Sequence, residues 1–220
     1  QLKDEANAWF VGEPFKVFYD YKKEGIWQLG EEAAAAANGQ EPGDIKVQDV
    51  DGNGVITTDD RIIYSQRPDV TFGFNNTFNY KGFDLSVFLY ARLGQWIAYD
   101  YNTTYRINAL ENGGNVDYWT PENPTNAFPR PNKSKSYTQV TYYSTLKYED
   151  GSFFKIRDIT LGYTFKPELL KHLNLSRLRV YATAKNFFTF SKIDNYDPEQ
   201  GGSISFPMTK QLVFGLNVEF

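Results

Sequence analysis

The chain has 220 residues and a formal net charge of −4, from 27 acidic and 23 basic side chains, with a single histidine. This length suits one domain of ordinary size, and the acidic balance without any run of lysine or arginine excludes a nucleic-acid surface, which needs a clustered basic field. Cysteine is absent, which excludes disulfides, thiolate catalysis and cysteine-bound zinc, while 16 Tyr and 18 Phe are typical of a β-protein with aromatic side chains at an interface.

The sequence predicts neither a transmembrane helix nor a leader. No stretch approaches the roughly 18 consecutive apolar residues of a membrane-spanning helix. The first residues, QLKDEANAWF, lack a basic segment followed by an apolar core, so we expect no signal peptide. The chain is then either cytosolic or a mature or internal segment of a longer protein.

Several stretches alternate apolar and polar residues with a period of two, which is the pattern of strands with one apolar face. Residues 70–80 and 83–93 form two of them, and Lys81-Gly82 between them predicts a tight β-hairpin. The other predicted strands are DITLGYTF (158–165), SRLRVYATAKN (176–186), QLVFGLNVEF (211–220) and a weaker candidate, EPFKVFYDY (13–21). The sequence therefore predicts an all-β fold with about six antiparallel strands.

The predicted links alternate between short and long. Residues 81–82 and 166–176 are the short ones, and the long, polar ones are about 22–68, 94–152 and 189–210. In the first long link, EEAAAAANG (31–39) predicts a short helix that ends at Asn38-Gly39. Alternating tight turns and long loops, joined by strands of roughly ten residues, are expected for the wall of a membrane β-barrel. A soluble sandwich or barrel is the alternative, because its strands also alternate.

The membrane interpretation carries a consequence for strand number. About six strands are fewer than the minimum of about eight that closes a membrane barrel. Open strand edges in lipid leave backbone groups without hydrogen-bond partners. If the strands form a membrane wall, the rest of the barrel must be supplied by polypeptide outside this chain.

Residues 49–60, DVDGNGVITTDD, match the spacing of a calcium-binding loop. Alternate residues of such a loop point inward and each supplies one hard oxygen, while a glycine permits the sharp turn. The candidate ligands are the side chains of Asp49, Asp51, Asn53 and Asp60 and the backbone carbonyl of Val55, with Gly54 at the turn and Ile56 as the apolar anchor. Asp60 is shorter than the usual glutamate, so we expect a structural Ca²⁺ rather than a sensor site. A metal-free polar turn is the alternative.

Six segments resemble the C-terminal part of SusC/RagA-type TonB-dependent transporters. They occur in the family's order and span nearly the whole chain, residues 1–220. The segments are VGEPFKVFYDYKKEGIWQ, PGDIKVQDVDGNGVITTDDR, FNYKGFDLSVFLYARLG, FFKIRDITLGYTF, LRVYATAKNFFTFSKIDNYDPE and the terminal Phe220. The resemblance implies the terminal strands of a large antiparallel transmembrane β-barrel with long extracellular loops. The plug and the earlier strands lie outside this chain.

The resemblance also implies a function. Members of this family import oligosaccharides or peptides across the outer membrane of Gram-negative bacteria, capped by a SusD-like lipoprotein and driven by TonB, which acts on the N-terminal part. If the C-terminus is periplasmic, residues 81–82 and 166–176 face the periplasm and the 49–60 loop faces outside. The chief rival is a secreted, soluble, calcium-binding β-domain that binds carbohydrate, and an enzyme fragment is a third, weaker reading.

The remaining chemistry-bearing residues favour structural roles. We expect no enzyme activity and name no catalytic residue, because the acidic pairs Glu31-Glu32 and Asp59-Asp60 are adjacent and adjacent carboxylates rarely converge on one sugar. His172 falls in a predicted turn. NYDPEQGG (195–202) reads as a turn more readily than as a substrate contact. Packing between loops explains the loop aromatics as well as ligand stacking does, so no substrate residue is named among Tyr118, Trp119, Tyr142 and Tyr143.

Overall fold

The computed structural model describes residues 3–109 and 113–220, which form two compact units. The loop unit consists of the described residues up to 67 together with 96–149 and 201–204. The sheet unit consists of residues 68–95, 150–200 and 205–220. The chain passes between the two units several times, because most of the first two long links predicted from the sequence folds into the loop unit and the long strands into the sheet unit. Of the third long link, 189–210, only residues 201–204 belong to the loop unit.

In chain order, the regular elements are β1 (Lys3–Asp4), β2 (Trp9–Phe10), β3 (Val17–Tyr21), β4 (Lys23–Ile26), α1 (Glu32–Ala37), β5 (Ile45–Val47), β6 (Arg61–Ser65), β7 (Val70–Tyr80), β8 (Phe83–Leu93), β9 (Trp96–Ala98), β10 (Tyr148–Asp150), β11 (Phe153–Thr164), α2 (Pro167–Leu170), β12 (Arg177–Ser191) and β13 (Gln211–Glu219). Short 3-10 turns occur at Thr58–Asp60, Asp100–Thr104, Tyr137–Gln139, Tyr143–Lys147, Lys171–Leu173 and Pro198–Gln200. No helix among the described residues is long and apolar enough to cross a membrane.

The sheet unit is built on one five-stranded antiparallel sheet in the order β13-β12-β11-β8-β7. Its strands are 9 to 15 residues long, which confirms the predicted strands of membrane-crossing length. The hairpin at Lys81-Gly82 is also confirmed, since Tyr80 pairs with Phe83 across it. Lys81 has φ 46° and Gly82 φ 92°, the left-handed conformations that a two-residue hairpin turn requires.

The weaker strand candidate at 13–21 was expected to join the large sheet, but it lies in the loop unit. Only Val17–Tyr21 is extended, and it pairs with β6 in a two-stranded sheet of the loop unit. Within the described residues the large sheet therefore has five strands rather than about six. The residues that pair β3 with β6 are 40 to 48 positions apart, so local alternation identified the strand but carried no information about its sheet.

The loop unit has a small apolar core of its own. Ile26, Ile45, Val47, Trp119 and Leu146 are buried together, and Tyr142 and Tyr143 pack against them. The short antiparallel pair of β4 and β5 brings Ile26 opposite Ile45 at the centre of this core. The predicted alanine-rich helix is confirmed as α1, which is followed by Asn38 and by Gly39 at φ 68°.

Candidate functional site

The calcium-type loop brings three of its predicted ligands together. Carboxylate oxygens of Asp49, Asp51 and Asp60 all lie within 4.8 Å of one another. Asp60 is fully buried, whereas Asp51 is exposed at the loop surface. The spacing read from the sequence therefore corresponds to a real convergence of hard oxygen atoms, although these residues span twelve positions of the chain.

Backbone hydrogen bonds hold the first half of the loop in a tight curl. The two carboxylate oxygens of Asp49 accept from the backbone N–H groups of Gly52 at 2.8 Å and Gly54 at 2.7 Å. Both glycines have positive φ, 73° and 83°, which other residues adopt only with strain. The glycines thus wrap the chain around Asp49 and direct its carboxylate toward the loop interior.

Asp60 closes the loop from its other end. Its carboxylate accepts from the backbone N–H groups of Val50 and Thr57, each at 2.7 Å, and it forms a capping box with Thr57 around the turn at Thr58–Asp60. The Thr57 N–H is the main cause that lowers the pKa of Asp60 below its ordinary value. The carboxylate therefore stays ionised although it is buried.

This donor set fits a divalent cation. Three carboxylates confined within 4.8 Å repel one another, and a bound cation would offset that repulsion. Hard oxygen ligands are the chemistry that Ca²⁺ prefers. The side chain of Asn53 makes two hydrogen bonds within the loop. It accepts from Val55 N–H at 2.8 Å and donates to Asp51 at 2.8 Å. Ligation by Asn53 and by the Val55 carbonyl therefore stays a prediction.

The loop is fixed to the core of the loop unit through the residue expected as its apolar anchor. Ile56 packs against the buried cluster that contains Trp119, and its backbone N–H donates to the side chain of Asn38 at 3.0 Å. Asn38, the residue that follows α1, thus holds the loop from one side. These two contacts join the loop to the packed part of the unit.

The five-stranded sheet has one apolar and one polar face. The strand registers place the apolar residues of all five strands on one side. The members of this apolar face include Phe72, Phe74 and Phe78 of β7, Leu85 and Leu89 of β8, Ile159 and Leu161 of β11, Val180 of β12, and Phe214, Leu216 and Val218 of β13. Phe214 is 74 % exposed and Leu216 68 % exposed, so the described residues do not cover this face.

The opposite, polar face carries ion pairs that run across strands. Arg179 of β12 makes two hydrogen bonds to Asp84 of β8, at 2.9 and 2.5 Å, and the intervening strand β11 has Gly162 at the crossing point. A Cβ on Gly162 would lie 2.5 Å from both side chains. The absence of a side chain at this position therefore allows the pair to form over the strand.

A buried ion cluster at one end of the sheet was not predicted from the sequence. The ammonium of Lys155 is fully buried and contacts Asp197 at 2.6 Å and Glu199 at 2.8 Å. Arg157 pairs with Glu199 at 3.1 Å, and Met208 Sδ lies 3.3 Å from the same ammonium. The sequence does show a lysine, Lys155, and an acidic turn that contains Asp197 and Glu199. These residues are 42 and 44 positions apart along the chain, so the sequence pattern did not predict that they form ion pairs.

The other candidate residues named from the sequence lie in turns, in packed positions or in ion pairs. NYDPEQGG forms a 3-10 turn followed by Gly201 and Gly202 at positive φ, as the turn interpretation predicts. Trp119 is buried, whereas Tyr118 is 43 % exposed. His172 lies in the short turn Lys171–Leu173. Glu31 accepts from Gln28 N–H and pairs with Lys46 at 2.9 Å.

Relatives of the chain are TonB-dependent receptors, although no family model matches it. It is 31 % identical to TonB-dependent receptor P3 of Formosa agariphila over 100 % of its own length and 23 % of that protein. It is also 31 % identical to SusC of Bacteroides thetaiotaomicron over 78 % of its length and 17 % of SusC. The chain is a C-terminal segment of a SusC/RagA-type TonB-dependent receptor. It spans about a quarter or less of the length of these curated relatives.

Solved structures place the same segment in a barrel. A structure of the RagAB peptide transporter matches 96 % of this chain and 24 % of its own chain with a TM-score of 0.71 at 24 % identity. The RagAB peptide importer in the open-open state matches with a TM-score of 0.66 at 26 % identity. The five-stranded sheet of this receptor segment is therefore a section of a large antiparallel transmembrane β-barrel, and the predicted fold class is confirmed.

Proposed function

We propose that the receptor to which this segment belongs imports oligosaccharides or peptides across the outer membrane of a Gram-negative bacterium. A SusD-like lipoprotein would cap it, and TonB would act through a plug outside this chain. The proposal is supported by the relatives, which are receptors and transporters rather than enzymes. The segment itself supplies wall and outer loops, and no covalent chemistry is proposed for it.

The two-faced sheet is the observation that carries this proposal. Its apolar face leaves large side chains such as Phe214 and Phe78 exposed, whereas its polar face holds ion pairs such as Arg179–Asp84. A sheet that separates lipid from an aqueous lumen needs these properties. A secreted, soluble carbohydrate-binding domain would instead bury its apolar strand face in its own interior.

Growth and extraction test the import proposal. A strain without the receptor gene, complemented with the full-length receptor, is expected to recover growth on at least one oligosaccharide or peptide as sole carbon source, and only when TonB is present. The receptor is expected to need detergent for extraction. Growth that is independent of the receptor or of TonB, or a protein that is soluble without detergent, would contradict the proposal.

We further propose that the 49–60 loop binds one structural Ca²⁺ through the carboxylates of Asp49, Asp51 and Asp60, together with Asn53 and the Val55 carbonyl. The proposal is supported by the three convergent carboxylates and by the glycine turns that direct Asp49 inward. A bound cation would hold residues 49–60 in one conformation and keep Ile56 seated in the core of the loop unit.

Hydrogen exchange on the full-length receptor tests the calcium proposal. Removal of Ca²⁺, or the double substitution Asp49→Ala and Asp51→Ala, is expected to increase exchange across residues 43–68. The matched control is Asp59→Ala, since Asp59 is an exposed neighbour outside the carboxylate cluster and should leave both exchange and the calcium effect unchanged. Equal protection with and without Ca²⁺ in the unsubstituted receptor would refute the metal site.

A further inference from the structure

A cavity of the loop unit, lined by no residue of the calcium-type loop, has a volume of about 290 Å³. Its lining includes three aromatic rings, Trp96, Phe128 and Tyr148, and three charged side chains, Lys23, Glu24 and Glu149. Glu24 also pairs with Lys46 at 3.9 Å. All of its lining residues belong to the loop unit. Ligand sites in proteins combine apolar walls with a few convergent polar groups in this way.

The aromatic walls are held in place by their own neighbours. The buried ring of Tyr64 contacts Trp96 edge-on at 4.8 Å and stacks on Tyr148 at 5.1 Å. The hydroxyl of Tyr148 donates to Asp20 at 3.1 Å. Two of the three rings are therefore fixed before any ligand arrives, and a pre-organised wall costs a ligand little ordering entropy.

Lys23 brings a half-buried ammonium to the cavity. Its Nζ donates to the carbonyl of Ala127 at 2.5 Å, and within the described part of the chain no carboxylate lies within 4.0 Å of it. Burial lowers the pKa of Lys23, and the charge of Glu149 opposes that effect. An ammonium has three N–H donors, so two of them are available to a ligand.

Glu149 brings a fixed acceptor to the same cavity. One of its carboxylate oxygens accepts from the amide of Asn102 at 2.9 Å, and the same amide donates to the Leu146 carbonyl at 2.8 Å. The other oxygen accepts no hydrogen bond from any residue that the structure describes. The cavity therefore combines N–H donors, a carboxylate acceptor and aromatic rings in its lining.

We propose that this cavity binds a neutral sugar ring. A sugar hydroxyl both donates and accepts, so neighbouring hydroxyls of one ring can accept from Lys23 and donate to Glu149, while the apolar face of the ring packs on aromatic side chains. Charges of both signs line the cavity, Lys23 against Glu24 and Glu149, so a neutral ring that can hydrogen-bond to both signs fits it better than an anion or a cation does. A cavity of about 290 Å³ suits a compact ring better than an extended peptide, which spans about 3.3 Å per residue.

This inference rests on the proposed import for its biological use, since the sugar would belong to the imported oligosaccharide. Binding is measured on purified receptor without transport, so a failure of import and a failure of binding are observed separately. The probes are the methyl glycosides of glucose, galactose and mannose, with trialanine as the peptide probe. Saturation-transfer NMR titrations use the full-length receptor in detergent.

At least one methyl glycoside is expected to bind. Lys23→Met and Glu149→Gln are each expected to weaken its binding about tenfold or more. This is the usual scale for the loss of a hydrogen bond to a charged group. Glu149→Gln keeps the acceptor for Asn102, and Lys23→Met keeps the aliphatic stem. The matched controls are Lys133→Met and Glu122→Gln, at exposed positions of the same unit outside the cavity, and they should bind as the unsubstituted receptor does.

Four outcomes would overturn the proposal. One is that no methyl glycoside binds. Another is that either cavity substitution leaves glycoside affinity unchanged, and a third is that the control substitutions weaken it equally. The fourth is that trialanine binds and loses its affinity in Lys23→Met, which would assign the cavity to a peptide.

Discussion

The two units of this receptor segment differ in where their strands place large apolar side chains. In the loop unit the most buried side chains include Ile26 and Ile45, at 1 % and 0 % exposure. In the sheet unit the ammonium of Lys155 is completely buried while Phe214 is 74 % exposed. The loop unit has the distribution of a protein that folds in water, and the sheet unit has the distribution of a wall in contact with lipid.

The difference shows where each unit obtains its stability. A large aliphatic side chain buried from water contributes about 1.5–3 kcal/mol, and the loop unit gains this within its own core. The side chains on the apolar face of the sheet gain it only when lipid covers them. On the polar face of the sheet, the buried ammonium of Lys155 and the Arg179–Asp84 pair are stabilised by ion pairs within the unit.

The largest expected effect comes from removing the buried charge of the sheet unit. Lys155→Met should lower the free energy of local opening of residues 193–208 by about 3–5 kcal/mol, because Asp197 and Glu199 lose their shared buried partner. Hydrogen exchange on the full-length receptor measures this opening. Lys185→Met, at a 46 % exposed lysine 3.8 Å from Asp158, is the control and should cost under about 1 kcal/mol. Equal costs for the two would show that the buried ion cluster of Lys155 does not stabilise the sheet unit.

The second-largest expected effect is a difference in stability between substitutions on the apolar and polar faces of β7. Phe74→Arg should lower the free energy of unfolding from lipid vesicles by about 2–4 kcal/mol, because it places a charge against hydrocarbon. Asn75→Arg lies on the polar face of the same strand and is expected to cost clearly less. A larger loss for Asn75→Arg than for Phe74→Arg would mean that the faces are oriented the other way.

The smallest of these effects tests the crossing of the ion pair over β11. Gly162→Ala should cost about 1–3 kcal/mol of stability, because the added methyl meets both Arg179 and Asp84 at 2.5 Å. The control is Gly73→Ala on the same sheet, where the nearest atom would be at 3.6 Å, an ordinary contact. Unfolding in vesicles compares them, and a Gly162→Ala receptor as stable as the Gly73→Ala receptor would show that the pair does not need this gap.

The sequence predicted what depends on local spacing. Period-two alternation identified the five long strands and the hairpin at Lys81-Gly82, and fixed offsets identified the convergent carboxylates of the 49–60 loop. Long-range pairing was not readable. β3 has a distant partner in β6, and Lys155 meets acidic residues 42 and 44 positions away. The bulge between Ile156 and Asp158 also escaped, because the extra residue reverses the phase of the alternation. The predicted strand therefore began only at Asp158, whereas β11 begins at Phe153.

The lipid contact of the apolar face is tested most directly by spin labels on β13 of the full-length receptor in vesicles. This segment has no cysteine of its own, so with the remaining cysteines of the receptor replaced, Leu216→Cys and Asn217→Cys can be labelled singly. Oxygen, which concentrates in lipid, should collide more often with the label at 216, and a water-soluble nickel chelate more often with the label at 217. Nickel collisions at 216 that equal or exceed those at 217 would contradict a lipid-facing apolar sheet.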